Sequence, residues 1–149
     1  MKLEEEISQK KFQNEYHKAT VNLIYTYNWL VNYQVMYLKP HDITLQQFNI
    51  LRILRGQHPN PATIKLIRER MLDKMSDASR IVEKLRIKQL VERNIRTSDR
   101  RHVDVFITEK GLELLSQLDS YADEMNSRLS NLNEEEILKL NFLLDKLRG

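Results

Sequence analysis

Two clusters of side chains in the middle of the 149-residue chain have the types and spacing to do chemistry. The first is Ser76, Asp77, Ser79, Arg80 and Lys84. Hydroxyls and a guanidinium at the start of a helix can reach base edges, and Arg80 is the candidate for bidentate contact to a guanine. The second is Asp99, Arg100 and Arg101. If Asp99 pairs with Arg101, it holds that guanidinium extended for a narrow, electronegative minor groove and leaves Arg100 for a phosphate. The alternative is that Asp99 opens a β-turn and both arginines are simply exposed. Lys84, Lys74 and Lys65 read as phosphate contacts rather than readers of sequence, with plain solvation an equal alternative for Lys65. Ser76 has two roles open, helix cap or DNA contact. Asp77 could accept from a cytosine amino group, but an ion pair with Lys74 or Arg80 is preferred.

The elements that must position these groups follow from periodicity. Ile81, Val82 and Leu85 fall on one side of a helix opening around Ser76. The period then changes: Leu90 to Arg96 and Val103 to Ile107 are short runs rich in β-formers, separated by a polar tip. Leu90, Val91, Ile95, Val103, Val105 and Ile107 supply the hairpin's apolar surface. Upstream, Asn60 is read as the cap and Pro61 as the first residue of a helix facing Ile64, Ile67 and Met71 inward. Leu72 to Met75 is the turn between the two helices. Before them, Thr44 and Gln47 form a capping box for a helix bearing Phe48, Leu51 and Leu54, with Gly56 its stop. Two helices joined by a short turn and followed by a hairpin make a winged helix-turn-helix, which lays its second helix in a major groove.

The flanks are helical. Tyr16, Ala19, Leu23, Tyr27, Leu30, Val31, Val35 and Leu38 predict one long helix from about Glu5 to Lys39-Pro40. Val21 and Ile24 widen its stripe beyond what one neighbour covers, so it is expected to pack in a dimer. Tyr25, Tyr27, Trp29, Tyr33 and Tyr37 could line a pocket for an aromatic ligand; core and interface packing is the favoured alternative. Thr108 is read as the cap of a helix carrying Leu112, Leu115, Leu118, Ala122, Met125 and Leu129. Asn133 and Glu136 open a last helix with Ile137, Leu140, Leu144 and Leu147. The predicted fold class is mainly α with a small β-hairpin wing.

Composition narrows the function. With no cysteine, disulfides, thiolate metal sites and thiol redox sensing are excluded. The N-terminal MKLEEEISQKK lacks an apolar core, and no run reaches the roughly 18 apolar residues of a membrane span. The expectation is a soluble cytoplasmic protein with no membrane partner. His17, His41, His58 and His102 lie apart, so no metal is expected, and no cofactor. A Gly-rich phosphate loop is absent and no nucleophile-base-acid motif occurs, so an enzyme is not expected. The net charge of +3 is uneven: residues 61–110 hold thirteen Lys/Arg against eight Asp/Glu, and residues 111–149 hold four against eight. A basic middle suits contact with phosphate.

Four pieces in order, Ser79-Arg80-Ile81-Val82-Glu83-Lys84-Leu85, Leu90-Val91-Glu92-Arg93, Asp99-Arg100-Arg101 and Ile107-Thr108-Glu109-Lys110-Gly111, resemble the MarR transcriptional regulators. They correspond to that family's recognition helix, first wing strand, wing tip and entry to the next helix. The resemblance implies one domain over 1–149, with dimerisation helices at 5–39 and 109–149 and a winged helix-turn-helix lobe at 44–108. It further implies a homodimer on a pseudo-palindromic double-stranded operator, acting as a repressor and released by a small aromatic or phenolic ligand. A DNA-binding regulator without small-molecule input, or a winged-helix protein-interaction module, are the competing readings. The sequence departs from the family at Gln89, where glycine is usual, and at Ile67, where a small alanine is usual. A left-handed helix exit at Gln89, if kept, would be strained, or a different turn would replace it.

Overall fold

The long N-terminal helix begins at Glu15, later than the start near Glu5 that the sequence predicts. The computed structural model describes residues 2–95 and 102–149, and places a four-residue helix α1 (Leu3–Glu6) before the long helix α2 (Glu15–Leu38). The expected single helix from Glu5 is interrupted because Ser8 turns left-handed and Asn14 caps α2, its side chain accepting the His17 N–H at 2.9 Å. The leading segment lies back along α2, where Lys18 pairs with Glu4 and the Tyr25 hydroxyl donates to Glu6 at 2.6 Å.

A 3-10 turn (Lys39–His41) leads to α3 (Leu45–Gln57). Here the expected capping box is present: Thr44 Oγ1 accepts the Gln47 N–H at 3.1 Å and Gln47 Oε1 accepts the Thr44 N–H at 3.2 Å. Phe48, Leu51 and Leu54 are buried as expected, joined by Ile50. Gly56 does not stop this helix, which runs one residue further. His58 is extended at ψ 135°, as the residue before a proline prefers, and Pro59 follows.

Neither Asn60 nor Pro61 opens the next helix. Ala62–Thr63 form a two-residue strand β1, and Thr63 caps α4 (Ile64–Arg70) by accepting the Leu66 N–H at 3.1 Å. The pairing Ala62↔Val105 explains the shift, since a backbone ladder with a strand distant in sequence sets where the chain can turn helical. After α5 (Ala78–Ile87) come β2 (Val91–Ile95) and β3 (Val103–Ile107). The sheet order is β1-β3-β2, antiparallel throughout, with Val91↔Ile107 at the base and Ile95↔Val103 toward the tip. Ile95 is 56% exposed, so the expected apolar contribution of β2 ends with Val91. Ile67, Met71, Val82, Leu85, Val91 and Val105 fill the core between α3, α4, α5 and the sheet. Ile67 is fully buried there.

The exit from α5 keeps its left-handed turn. Gln89 has φ 61°, the Leu90 N–H reaches the Leu85 carbonyl at 3.0 Å, and the Gln89 N–H reaches that of Arg86 at 2.9 Å. This double bond pattern closes the helix, and Leu85 and Leu90 are both buried beside it. A left-handed residue other than glycine carries about 1–2 kcal/mol of strain, of which glycine's chain entropy cancels part. Gln89→Gly is expected to stabilise the fold by about 0.5–1 kcal/mol, a rise of roughly 1–4 °C in Tm at this size. A calorimetric midpoint that is unchanged or lower would count against it.

The helix expected to run unbroken from Thr108 to Leu129 is two: α6 (Glu109–Gln117) and α7 (Tyr121–Arg128). No Gly or Pro marks the break. Tertiary packing accounts for it, because the buried Tyr121 ring meets Phe48 edge-on at 4.7 Å and Tyr37 at 5.4 Å. The last helix, α8 (Glu134–Arg148), opens with the expected Asn133 and Glu136 capping box. Its fifteen residues bury none of their side chains, and the 24-residue α2 buries only Leu38.

Candidate nucleic-acid interface

The start of α5 is fixed by two carboxylates. Asp77 is the cap, its Oδ1 accepting the Arg80 N–H at 3.1 Å, so it serves the backbone rather than the ion pair with Lys74 or Arg80 that was expected. Ser76 is therefore not the cap. Its hydroxyl donates to Asp73 Oδ2 at 2.6 Å, and Asp73 also accepts the Met75 N–H at 3.0 Å and a longer bond from Gln46. These donors, the Ser76 hydroxyl first, hold the Asp73 carboxyl below the usual carboxylate range. Lys74 closes the other end of the turn. Its ammonium donates to the Glu69 carbonyl at 2.6 Å and the Arg68 carbonyl at 3.4 Å, where the free carbonyls of α4 favour a cation.

With α5 so anchored, Ala78, Val82 and Leu85 point into the core while Ser79, Arg80 and Lys84 are exposed on the opposite side. Lys65 is exposed on α4, 3.9 Å from Glu69. Ser76, Asp77, Ser79, Arg80, Lys84, Lys74 and Lys65 thus lie along one run of α4, turn and α5. Asp99, Arg100 and Arg101 lie outside the described residues. Sequence reasoning passed over several neighbours. Leu72 and Met75 are 87% and 94% exposed in the turn, and Arg68 and Arg70 are exposed on α4. Glu83 binds Arg86 through both carboxylate oxygens, at 2.7 and 3.0 Å, and lies 3.4 Å from Arg93 on β2. The three-residue spacing of Glu83 and Arg86 was legible as a helical pair. Arg93 was not, because only the fold brings β2 beside α5.

The base of the wing is closed by Thr108. Its Oγ1 accepts the Gly111 N–H at 3.1 Å and its hydroxyl donates to the Gln89 carbonyl at 2.8 Å. A Cβ at position 111 would lie 2.5 Å from the Leu90 carbonyl oxygen, so the Thr-x-x-Gly spacing is needed for α6 to pass this close to the wing.

The five aromatic residues on α2 do not converge. Positions 25, 27 and 29 are about 200° apart in turn on a helix and face different ways. Tyr25 donates to Glu6, Tyr33 to Glu124 at 2.6 Å, and Tyr37 shares a 2.8 Å hydrogen bond with Ser120, while Trp29 is exposed. Only Tyr27 of the five lines the cleft of about 400 Å³ between α2, α3 and the α4–α5 turn. Its other walls include Phe48, Arg52, Asp73, Lys74 and Tyr121. Among the described residues no group of three His, Asp or Glu could hold a metal, and no helix is long and apolar enough to cross a membrane.

A capped helix beside a small three-stranded antiparallel sheet makes a winged helix-turn-helix fold. Residues 43–103 match the model of the MarR family. The chain is 27% identical over 121 residues to the HTH-type transcriptional regulator MhqR of Bacillus subtilis, covering 80% of this chain and 82% of that one. It is 27% identical to a MarR transcription factor from Planctomyces limnophilus, whose crystal structure superposes with a TM-score of 0.69 over 91% of this chain and 98% of the other. The fold also matches that of the organohalide-sensing regulator RdhR at a TM-score of 0.81, 19% identity and coverage of 94% and 85%. The chain thus resembles the MarR transcriptional regulators, with the family match lying in 43–103, and the relatives it matches are transcription factors rather than enzymes.

Proposed function

We propose that this protein is a homodimeric repressor that places two copies of α5 in successive major-groove segments of a pseudo-palindromic operator. The carrying observation is the exposed Ser79, Arg80 and Lys84 face of a helix locked at its start by Asp77 and at its end by the Gln89 turn. On this reading the whole of 1–149 is one unit, with 44–108 as the DNA-binding lobe and the helices within 5–39 and 109–149 covered by a second copy. The unburied faces of α2 and α8 support the partner. Arg80 reads a base, Ser76 and Ser79 flank it, and Lys84, Lys74 and Lys65 face phosphates. Asp99, Arg100 and Arg101 supply the wing-tip contacts to the minor groove and backbone.

The cleft beside Tyr27 and Tyr121 takes a small aromatic ligand on this reading. Its wall contains Leu72, Asp73 and Lys74, the turn that leads into α5, so an occupant touches the element that aims the recognition helix. The RdhR structure holds 2,4-dichlorophenol, a compound of this class. Such a ligand weakens operator binding only by preferring a different lobe spacing.

Selection of bound duplexes from a random library tests both parts. The expected product is a symmetric site with half-sites about one helical turn, roughly 34 Å, apart. A single asymmetric site or no enrichment sinks the dimeric reading. Titration of the selected duplex with and without 2,4-dichlorophenol tests the ligand. A compound that raises Tm yet leaves operator affinity unchanged defeats release by ligand.

A further inference from the structure

We propose that Glu83 is a positioning residue that sets the angle between the recognition helix and the wing, and so decides how well both engage DNA together. It rests on the DNA-binding reading above and is independent of any ligand.

Glu83 is an acid on a basic face, flanked by Arg80 and Lys84. Against phosphate it costs affinity, so its value must lie elsewhere. Its two oxygens grip the Arg86 guanidinium as a planar fork, through Nε at 3.0 Å and Nη2 at 2.7 Å, which fixes the orientation of both groups. Arg86 in particular holds the carboxyl below its usual range, so it is charged at neutral pH. Oε2 then reaches across to Arg93 Nη1 at 3.4 Å. Strand alternation puts Arg93 on the same face of β2 as the buried Val91, toward α5. Leu90 and Val91 are buried at the base of the wing and Val105 of β3 is buried opposite Arg93, while Ile95 beyond them is exposed. Glu83 to Arg93 is a polar link from α5 to β2 beyond Val91, at the level where the strand leaves the recognition helix.

Electrostatics and positioning predict opposite signs, which makes the test decisive. Removing the charge with Glu83→Gln adds one positive unit to the DNA face. If Glu83 were only a repulsive charge, affinity would rise on every duplex and the salt dependence would steepen. The positioning role predicts a loss on the order of tenfold on the selected operator, about what one lost groove contact costs, with no loss on a scrambled duplex of equal length. Glu92→Gln, the same charge change on the neighbouring strand residue, is the control and should tighten both duplexes slightly. Arg93→Gln should reproduce the loss, and the double variant should be no worse than either single one, as expected for partners in one link. Hydroxyl-radical footprints should lose protection where the wing lies and keep it under α5. A melting scan checks that each variant folds, and Arg93→Gln carries the test if Glu83→Gln does not. Tightening of both duplexes by Glu83→Gln, or an unchanged footprint, overturns the inference. Failure of the wild-type chain to bind any selected duplex would instead overturn the DNA-binding reading, and this inference with it.

Discussion

Replacing Arg80 by alanine should cut affinity for the selected operator by roughly 5- to 150-fold, the value of one bidentate base contact, while affinity for unrelated duplexes changes far less. The side chain is exposed and the backbone N–H of residue 80 stays bonded to Asp77, so the alanine variant keeps the helix start that the wild type has. Alanine is also the best helix former, so loss of structure does not compete as an explanation. The signature is a change in preference: one symmetric pair of positions in the site should become degenerate when selection is repeated with the variant. Lys84→Ala is the contrast, expected to weaken all duplexes together and to reduce the salt slope by about one. Equal losses on all sequences from Arg80→Ala would reassign it to phosphate.

Much of the region around α5 is legible in the sequence because its determinants are local. The outward face of α5 follows from which of its residues are apolar, and the Thr44, Thr108 and Asn133 caps follow from an acceptor placed just before an apolar run. Where two acceptors stand close together, local reasoning fails. Asn60 and Thr63 both suit a cap, as do Ser76 and Asp77, and the pairing of β1 with β3 and the demand of Asp73 for the Ser76 hydroxyl decide between them. The break between α6 and α7 is likewise decided by the ring cluster of Tyr121, Phe48 and Tyr37, from three separate elements. Aromatic count on α2 suggested a ligand wall, but the helical angle between alternate positions disperses those rings. The cleft is built from α3 and the α4–α5 turn more than from α2. Gln89 shows a different limit: the turn survives without the usual glycine because the bonds of Leu90 and Gln89 back to α5 and the burial of Leu85 and Leu90 outweigh its strain.

The largest loss of function is expected from α8. A fifteen-residue helix that buries nothing in its own chain is marginal in water by itself, since short helices draw most of their stability from packing. Leu138, Phe142 and Leu147 are each more than 60% exposed, and on α2 so are Tyr16, Tyr27 and Met36. Exposed apolar surface on this scale marks an interface, and a two-fold copy covers matching faces on both protomers at once. In the proposed dimer, Leu140→Asp together with Leu147→Asp, one face of α8 separated by two turns, would therefore put four carboxylates into the shared interface. An unpaired carboxylate does not stay charged in an apolar setting without a large penalty, so association fails while the 44–108 lobe, whose core lies elsewhere, stays folded. A monomer can grip only one half-site. The second half-site contributes an intramolecular advantage of about 10²–10⁴, so operator affinity should fall by at least roughly 100-fold. Analytical ultracentrifugation reads the mass and duplex titration reads the affinity. A double variant that sediments as a dimer with wild-type operator affinity would show that α8 is not the face the second copy covers.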